Sequence, residues 1–225
     1  MYVAAVGALL VRVLPLAIGA ACSPTTLIAN LLVLSLPEHH RARSLMFVLG
    51  NVVVLAAFTT IVFVGLIPTV RLGPPGSDPT EAVIDLAAAA LLALLAVREI
   101  RHHPDPAKPK KTRRLPDGPL PEFFGFGVVM MVTNFSTLVI YFPAAKDISL
   151  STVGLGGQVV ATVLLFTITT TMVWVPTAFE LVSPTTAMRM LGRLKDVVTS
   201  HQRLLTIGVL VLYAGYLAVR GVLKL

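Results

Sequence analysis

The sequence predicts an all-α integral membrane protein with six transmembrane helices arranged as two inverted three-helix repeats, plus a short interfacial amphipathic helix. Three observations lead there. Of 225 residues, 56% are hydrophobic and only 13% charged, with a mean hydropathy of +0.85. That is about half the charge of an ordinary globular chain, so a bilayer is the better solvent for most of it. Six stretches are long and apolar enough to cross a hydrocarbon core about 30 Å thick, which takes about 20 residues. Three of them fall in each half, and an odd number makes the second half enter the membrane from the opposite side.

The first span, Val13–Leu36, is interrupted near its centre by Cys22-Ser23-Pro24-Thr25-Thr26. A proline inside a membrane helix frees a carbonyl one turn earlier, which a Ser or Thr hydroxyl commonly satisfies. The break therefore reads either as a structural kink or as half of a binding site. Gly19-Ala20-Ala21-Cys22 faintly resembles a lipoprotein cleavage box, but no basic residue precedes Arg12 and the apolar run continues to Leu36. The segment is expected to stay as a span.

The second span is Ser44–Pro68, with Asn51 early in it, and the third is Glu81–Val97, with Asp85 in its outer end turn. The linker Glu99–Pro121 carries six prolines and six Lys or Arg and cannot bury a core. It divides the chain into a first repeat, 1–98, a basic Pro-rich cytoplasmic linker, 99–121, and a second repeat, 122–225. Beyond setting topology, the linker is suited to anionic head groups or a partner.

The fourth span, Glu122–Ala145, is broken near its centre by Thr133-Asn134-Phe135-Ser136-Thr137, matching the break in the first. A carboxamide in hydrocarbon is costly unless it bonds across to another helix or a ligand. Broken helices at corresponding positions of two inverted halves point to a transporter's binding site. Lys146–Ser149 reads as the next loop. The fifth span, Thr152–Phe179, carries Thr162, Thr167, Thr169, Thr170, Thr171 and Trp174, with Pro176 near its inner end as a bend and Glu180 just beyond. Ser183-Pro184 then reads as an N-cap and first helical proline. Met188, Leu191, Leu194 and Val198 follow at helical spacing with Arg189, Arg193, Lys195 and Asp196 on polar sides, giving the interfacial helix at about 183–199. The sixth span is Arg203–Val219.

The net charge of +7 is an orientation signal. With the N-terminus outside, 13 of the 18 Lys and Arg lie in inner loops and five outside. Both termini are thus expected outside a cytoplasmic membrane crossed many times. No nucleic-acid partner is implied.

No Asp, Glu, Lys, Arg or His is read as lying deep in a span, so a carboxylate relay at the midplane is disfavoured. Asp85 and Glu180 are left as interface candidates for a protonation step. One cysteine, Cys22, excludes a disulfide framework and a four-cysteine zinc site. His39-His40 and His102-His103 are loop pairs, Ser23 has no histidine in a triad setting, and Gly154-x-Gly156-Gly157 opens a span rather than cradling a phosphate. No enzyme and no cofactor is called for.

Ala20-Ala21-Cys22-Ser23-Pro24 followed by Leu27–Leu34 resembles the first-helix Ser-Pro signature of the LysE superfamily of small-molecule exporters. Asn134-Phe135-Ser136-Thr137 resembles its fourth-helix Asn-Pro-Lys signature. The Arg41-Ala42-Arg43 loop into a Gly50-containing helix, the basic middle loop, Trp174-x-Pro176, and Ser183-Pro184 to His201 leading into Gly215 are most similar to the actinobacterial GAP family, the glycopeptidolipid- and sulfolipid-addressing proteins. These features cover nearly the full chain, though each motif is short. The resemblance implies a LysE-like fold and export of a lipid, glycolipid or small amphiphilic solute by alternating access at the paired breaks. Phe135-Ser136 stand where the family has Pro-Lys, so the positive charge expected at the site is missing, and with it support for an anionic substrate.

Ser23, Thr25, Thr26 and Asn134 are then expected to hold a polar group, with Asn51, Ser136, Thr170 and Trp174 along the route and Pro24 and Pro176 as hinges. The expected partners are membrane lipids and the substrate. Gly208 and Gly215 permit close helix contacts, leaving a homodimer or a larger export complex open. A non-transporting scaffold of a lipid-export assembly is the alternative. A DsbD/CcdA-type thiol carrier needs a cysteine in each half, and Thr133 stands opposite Cys22.

Overall fold

The computed structural model describes residues 2–37, 39–71, 79–101, 115–116, 118–182 and 184–223, with the side chains at 2–4, 66–71, 79–81, 184–191 and 193–195 outside that description. Most of the linker therefore lies outside the described residues. So do Ser183 and the side chains of Met188, Arg189, Leu191, Arg193, Leu194 and Lys195. Among the described residues the chain is all helix. The elements are α1 (Tyr2–Ala21), α2 (Pro24–Leu34), α3 (His40–Arg71), α4 (Pro79–Arg101), α5 (Leu120–Val132), α6 (Phe135–Ser149), α7 (Leu155–Val182) and α8 (Pro184–Val222).

Both expected breaks are present, and both are sharp. The axis turns by 50° between α1 and α2 and by 68° between α5 and α6. Pro24 takes the first position of α2, where its missing N–H costs nothing. Segments His40–Gly65, Leu155–Val182 and Asp196–Val222 are each long and apolar enough to cross a membrane, and counting each bent pair as one broken span brings the total to five. The remaining helix, α4, has Asp85 near one end and Arg98, Glu99 and Arg101 at the other.

Large apolar side chains point outward from every long helix, among them Ile61 at 68% exposure, Leu94 at 65% and Leu204 at 70%. Water would not tolerate such surface on a monomer, whereas lipid tails cover it at no cost. This is a multi-pass helical membrane protein. With no hydrophobic drive between helices in lipid, the contacts rest on close packing and interhelical hydrogen bonds. Helix α1 packs on α6 and α7, α3 on α5, α6 and α7, α4 on α8 and α6, and α2 on α3, α7 and α8. Leu16, Ala17, Ile140, Tyr141, Ala144, Leu165 and Leu217 fill the centre.

Two expectations about element boundaries are corrected. The segment at about 183–199 is not a separate interfacial helix but the beginning of α8, a continuous helix of 39 residues. Nothing at Thr199-Ser200-His201-Gln202 breaks it, since no Gly or Pro intervenes and Ser200 folds its hydroxyl back onto the Val197 carbonyl at 2.9 Å. At about 1.5 Å per residue α8 is far longer than a bilayer core, so its N-terminal turns extend beyond the apolar span that begins at Asp196. Lys146–Ser149 is likewise not a loop. It is the last turn of α6, with Lys146 completely buried.

That burial also corrects the reading of an interior free of charge. Lys146 Nζ lies 2.8 Å from Asp85 Oδ1, and both side chains have 0% exposure. Arg220 Nε stands 3.4 Å from Asp85 Oδ2, and the same guanidinium donates to Asp147. Four charges from α4, α6 and α8 cancel at one end of the bundle. The sequence pattern hides this because the partners are far apart in the chain.

Candidate functional site

The two helix breaks meet. Pro24 has no N–H to offer the carbonyl of Ala20, one turn earlier, and Thr137 in the first turn of α6 donates its hydroxyl to that oxygen at 3.2 Å. A backbone vacancy created in one half is thus filled by a side chain from the other. Asn134, at the start of α6, donates from Nδ2 to Ser23 Oγ at 2.8 Å and to Thr26 Oγ1 at 2.9 Å. Those two hydroxyls are themselves 2.9 Å apart, which is why Ser23 does not cap α2 with its side chain. Ser136 Oγ donates to Asn134 Oδ1 at 3.0 Å and fixes the carboxamide's orientation.

Ser23, Thr26, Asn134 and Thr137 surround a closed cavity of about 10 Å³, lined also by Asn51, Thr169 and Thr170. It has room for about one water molecule. Asn51 spends its Nδ2 on the Phe47 carbonyl at 2.8 Å, and Thr170 its hydroxyl on the Phe166 carbonyl at 2.9 Å. Among the described residues, Asn51 Oδ1 and Thr169 Oγ1 are buried without a hydrogen-bond partner. Such atoms are costly to bury unless a ligand or a change of conformation uses them. The first turns of α2 and α6 converge on the same place. The last turns of α1 and α5 end there too, so helix ends of both signs, with N–H and C=O groups available for hydrogen bonding, face the site without a lysine.

Beside the closed cavity lies an open one of about 310 Å³, walled by Thr25, Arg98, Glu99, Asn134 and Ser136 among others. Beyond Phe135, which lines both, an apolar groove of about 440 Å³ runs between α4 and α6 past Leu91, Leu138 and Phe142. Polar and apolar hollows therefore adjoin along one face of α4.

Of the expected site residues, Ser23, Thr26, Asn51, Asn134 and Thr170 line the closed cavity, and Thr25 and Ser136 line the open one. Trp174 does neither: it is 39% exposed on α7, with Nε1 3.4 Å from the Thr167 carbonyl. Pro24 sits at the 50° bend, whereas Pro176 is buried within the continuous α7. Glu180 is buried, its Oε1 3.3 Å from His40 Nε2. Among the described residues, no three His, Cys, Asp or Glu side chains converge to hold a metal.

One polar cluster escaped the sequence reading. Fully buried Asn30 donates to the Val173 carbonyl at 2.5 Å and to Thr177 Oγ1 at 3.0 Å, while Ser44 Oγ donates to Asn30 Oδ1 at 2.7 Å. This ties α2 to α3 and α7 at the end of the bundle where Glu180 meets His40. An Asn within an apolar run such as Asn30 is conspicuous, but Ser44 and Thr177 look like ordinary helical hydroxyls. Asn30→Ala removes three buried hydrogen bonds, leaving Ser44 and Thr177 with each other at 2.7 Å, and is expected to cost about 1–3 kcal/mol, read as a lower melting temperature in detergent. An unchanged melting temperature would mean the cluster carries no load.

No curated protein and no solved structure matches the chain. The model of the family described as SfLAP, Sap, sulfolipid-1-addressing protein, matches residues 13–223, which takes in both helix breaks and every cavity-lining residue named above, and the chain belongs to that family.

Proposed function

We propose that the protein exports an amphiphilic lipid or glycolipid across the cytoplasmic membrane by alternating access at the junction of its two helix breaks. The observation that carries this reading is the Asn134 carboxamide bridging Ser23 and Thr26 across that junction, over a closed cavity with two unpartnered oxygens. Such an arrangement suits an occluded conformation. Exposing the site to either side requires Asn134 to exchange its two hydroxyl partners for hydroxyl, amide or head-group oxygens of a substrate. The neighbouring hollows have the shape of an amphiphile, with a polar part by Thr25, Ser136 and Arg98 and an apolar part beyond Phe135.

Helix packing supports two inverted repeats, 1–98 and 122–225. Exchanging α1 with α5, α2 with α6, α3 with α7 and α4 with α8 turns the α1–α7 contact into α5–α3, α2–α8 into α6–α4, and α2–α3 into α6–α7, all of which occur, whereas α1–α6 and α7–α8 have no such counterpart of comparable extent. In this reading α4 is the third span and completes the six, both termini face outside, and linker 99–121 lies in the cytoplasm. Asp85 is held by two fixed cations, so any protonation step falls to Glu180 and His40, which lie 3.3 Å apart.

The family description names sulfolipid-1, which makes a sulfated glycolipid the first substrate class to assay. In proteoliposomes loaded with fluorescent sulfated and neutral glycolipids, Asn134→Ala and Ser23→Ala are expected to lower movement at least about tenfold, the scale of one lost polar contact. Melting temperatures should change little, since Ser23 and Thr26 still bond each other in Asn134→Ala and Asn134 still donates to Thr26 in Ser23→Ala. Undiminished movement in both variants would overturn the site. A scaffold predicts no movement by the purified wild type, together with co-purification of a larger assembly.

A further inference from the structure

The end of the bundle that holds the buried charges carries a second feature. Arg12 lies nine residues before Ala21, about 14 Å along α1 from the helix break, at the depth of a bilayer boundary. It stands between two hollows. One is an apolar groove of about 800 Å³ between α1 and α8, lined by Leu212, Gly215, Tyr216 and Val219 and closed at one end by Arg12 and Arg220. The other is a smaller hollow of about 300 Å³ where Arg12 faces Ser151, Thr152 and Asp147.

Asp85 and Asp147 at this end are engaged by Lys146 and Arg220. Arg12 is exposed and has no ion-pair partner among the described residues. An unmatched guanidinium at the boundary, at the head of an apolar groove, is complementary to a molecule with one anionic end and an apolar chain. The groove is also open: a Cβ at Gly215 would meet nothing within 4 Å, and Leu212 and Val219 are exposed.

We propose that the α1–α8 groove is a binding site for an anionic phospholipid of the surrounding leaflet, with its phosphate on Arg12 and an acyl chain along Leu212, Gly215, Tyr216 and Val219. The site is separate from the cavity at Asn134 and does not depend on how that cavity works. A bound lipid completes the ion network and ties α1 to α8, which otherwise make few contacts with each other.

Native mass spectrometry of the purified protein, titrated with phosphatidylglycerol and with phosphatidylcholine of the same chains, tests this. The wild type is expected to retain one phosphatidylglycerol in preference to phosphatidylcholine. Arg12→Gln should abolish that preference, with about a tenfold loss for the anionic lipid. Gly215→Leu, which fills the open groove, should weaken both lipids. Arg12 and Gly215 are both at the surface, so equal melting temperatures without lipid exclude misfolding as the cause. An unchanged preference in Arg12→Gln, or unchanged binding in Gly215→Leu, overturns the proposal. Displacement of the lipid by millimolar glycerol phosphate would mark a site for free anions and overturn it equally.

Discussion

Replacing Lys146 by methionine is expected to destabilise the protein by about 3 kcal/mol, the low end of the 3–5 kcal/mol typical of a buried ion pair stripped of one member. The aliphatic stem is largely preserved, so the loss is electrostatic. It takes from Asp85, with 0% exposure on α4, its 2.8 Å partner and leaves it with the Arg220 guanidinium at 3.4 Å, which Asp147 also claims. The residual Arg220 contact keeps the cost from being larger. Asp85→Leu should cost a similar amount, because the fully buried Lys146 then loses its 2.8 Å carboxylate and Asp147 stands at 3.9 Å. The double variant Lys146→Met with Asp85→Leu removes both charges together and is expected to recover most of the loss, leaving Arg220 and Asp147 paired. Unfolding of the four proteins in detergent closes this cycle. A coupling energy near zero would show that the pair is solvated rather than buried. What the pair contributes to the native state is register: it fixes α4, α6 and α8 against one another in surroundings where apolar packing discriminates weakly between alignments.

That network was illegible in the sequence for a physical reason. Hydropathy treats Lys146-Asp147 as a departure from the membrane, and Asp85 as an end turn, because a lone charge in hydrocarbon is prohibitive. Compensation from residues 61 and 73 positions away removes the penalty without leaving a local trace. The helix breaks were legible because their cause is local: Pro24 cannot donate to Ala20, and an Asn in an apolar run demands a partner. Their meeting at Asn134, Ser23 and Thr26 is what the expectation of a second half inverted by an odd number of spans asked for. The Asn30 cluster falls between these cases, with one conspicuous member and two inconspicuous hydroxyls. Trp174 misled for the opposite reason. Its size and polar N–H suggested a cavity wall, yet an indole is equally at home against lipid with its N–H turned to a carbonyl of its own helix.

Gly127→Ala is expected to cost more than the 1–3 kcal/mol usual for one added methyl group in a packed core. A Cβ there would lie 2.3 Å from the backbone oxygen of Phe47, and one at Gly50 would lie 2.3 Å from the oxygen of Phe124 and 2.9 Å from the nitrogen of Val128. Each glycine thus admits the other helix's main chain, and no side chain is available to swing aside. The methyl must push α3 and α5 apart. Gly50→Ala should behave alike, and the double variant should cost less than the sum, since the first substitution has already opened the interface. Gly125, two residues away on α5, is the internal control: a Cβ there meets nothing within 4 Å, so Gly125→Ala should be neutral or gain up to about 1 kcal/mol through helix propensity. The damage should also reach the site. A Cβ on Gly127 would come within 3.2 Å of Asn51 Nδ2, whose carboxamide lines the closed cavity. Gly127→Ala is therefore expected to slow lipid movement even at temperatures where the protein stays folded. Equal melting temperatures for Gly127→Ala and Gly125→Ala would show that α3 and α5 do not touch backbone to backbone. A destabilised Gly127→Ala that moves lipid at the wild-type rate would instead uncouple this interface from the cavity.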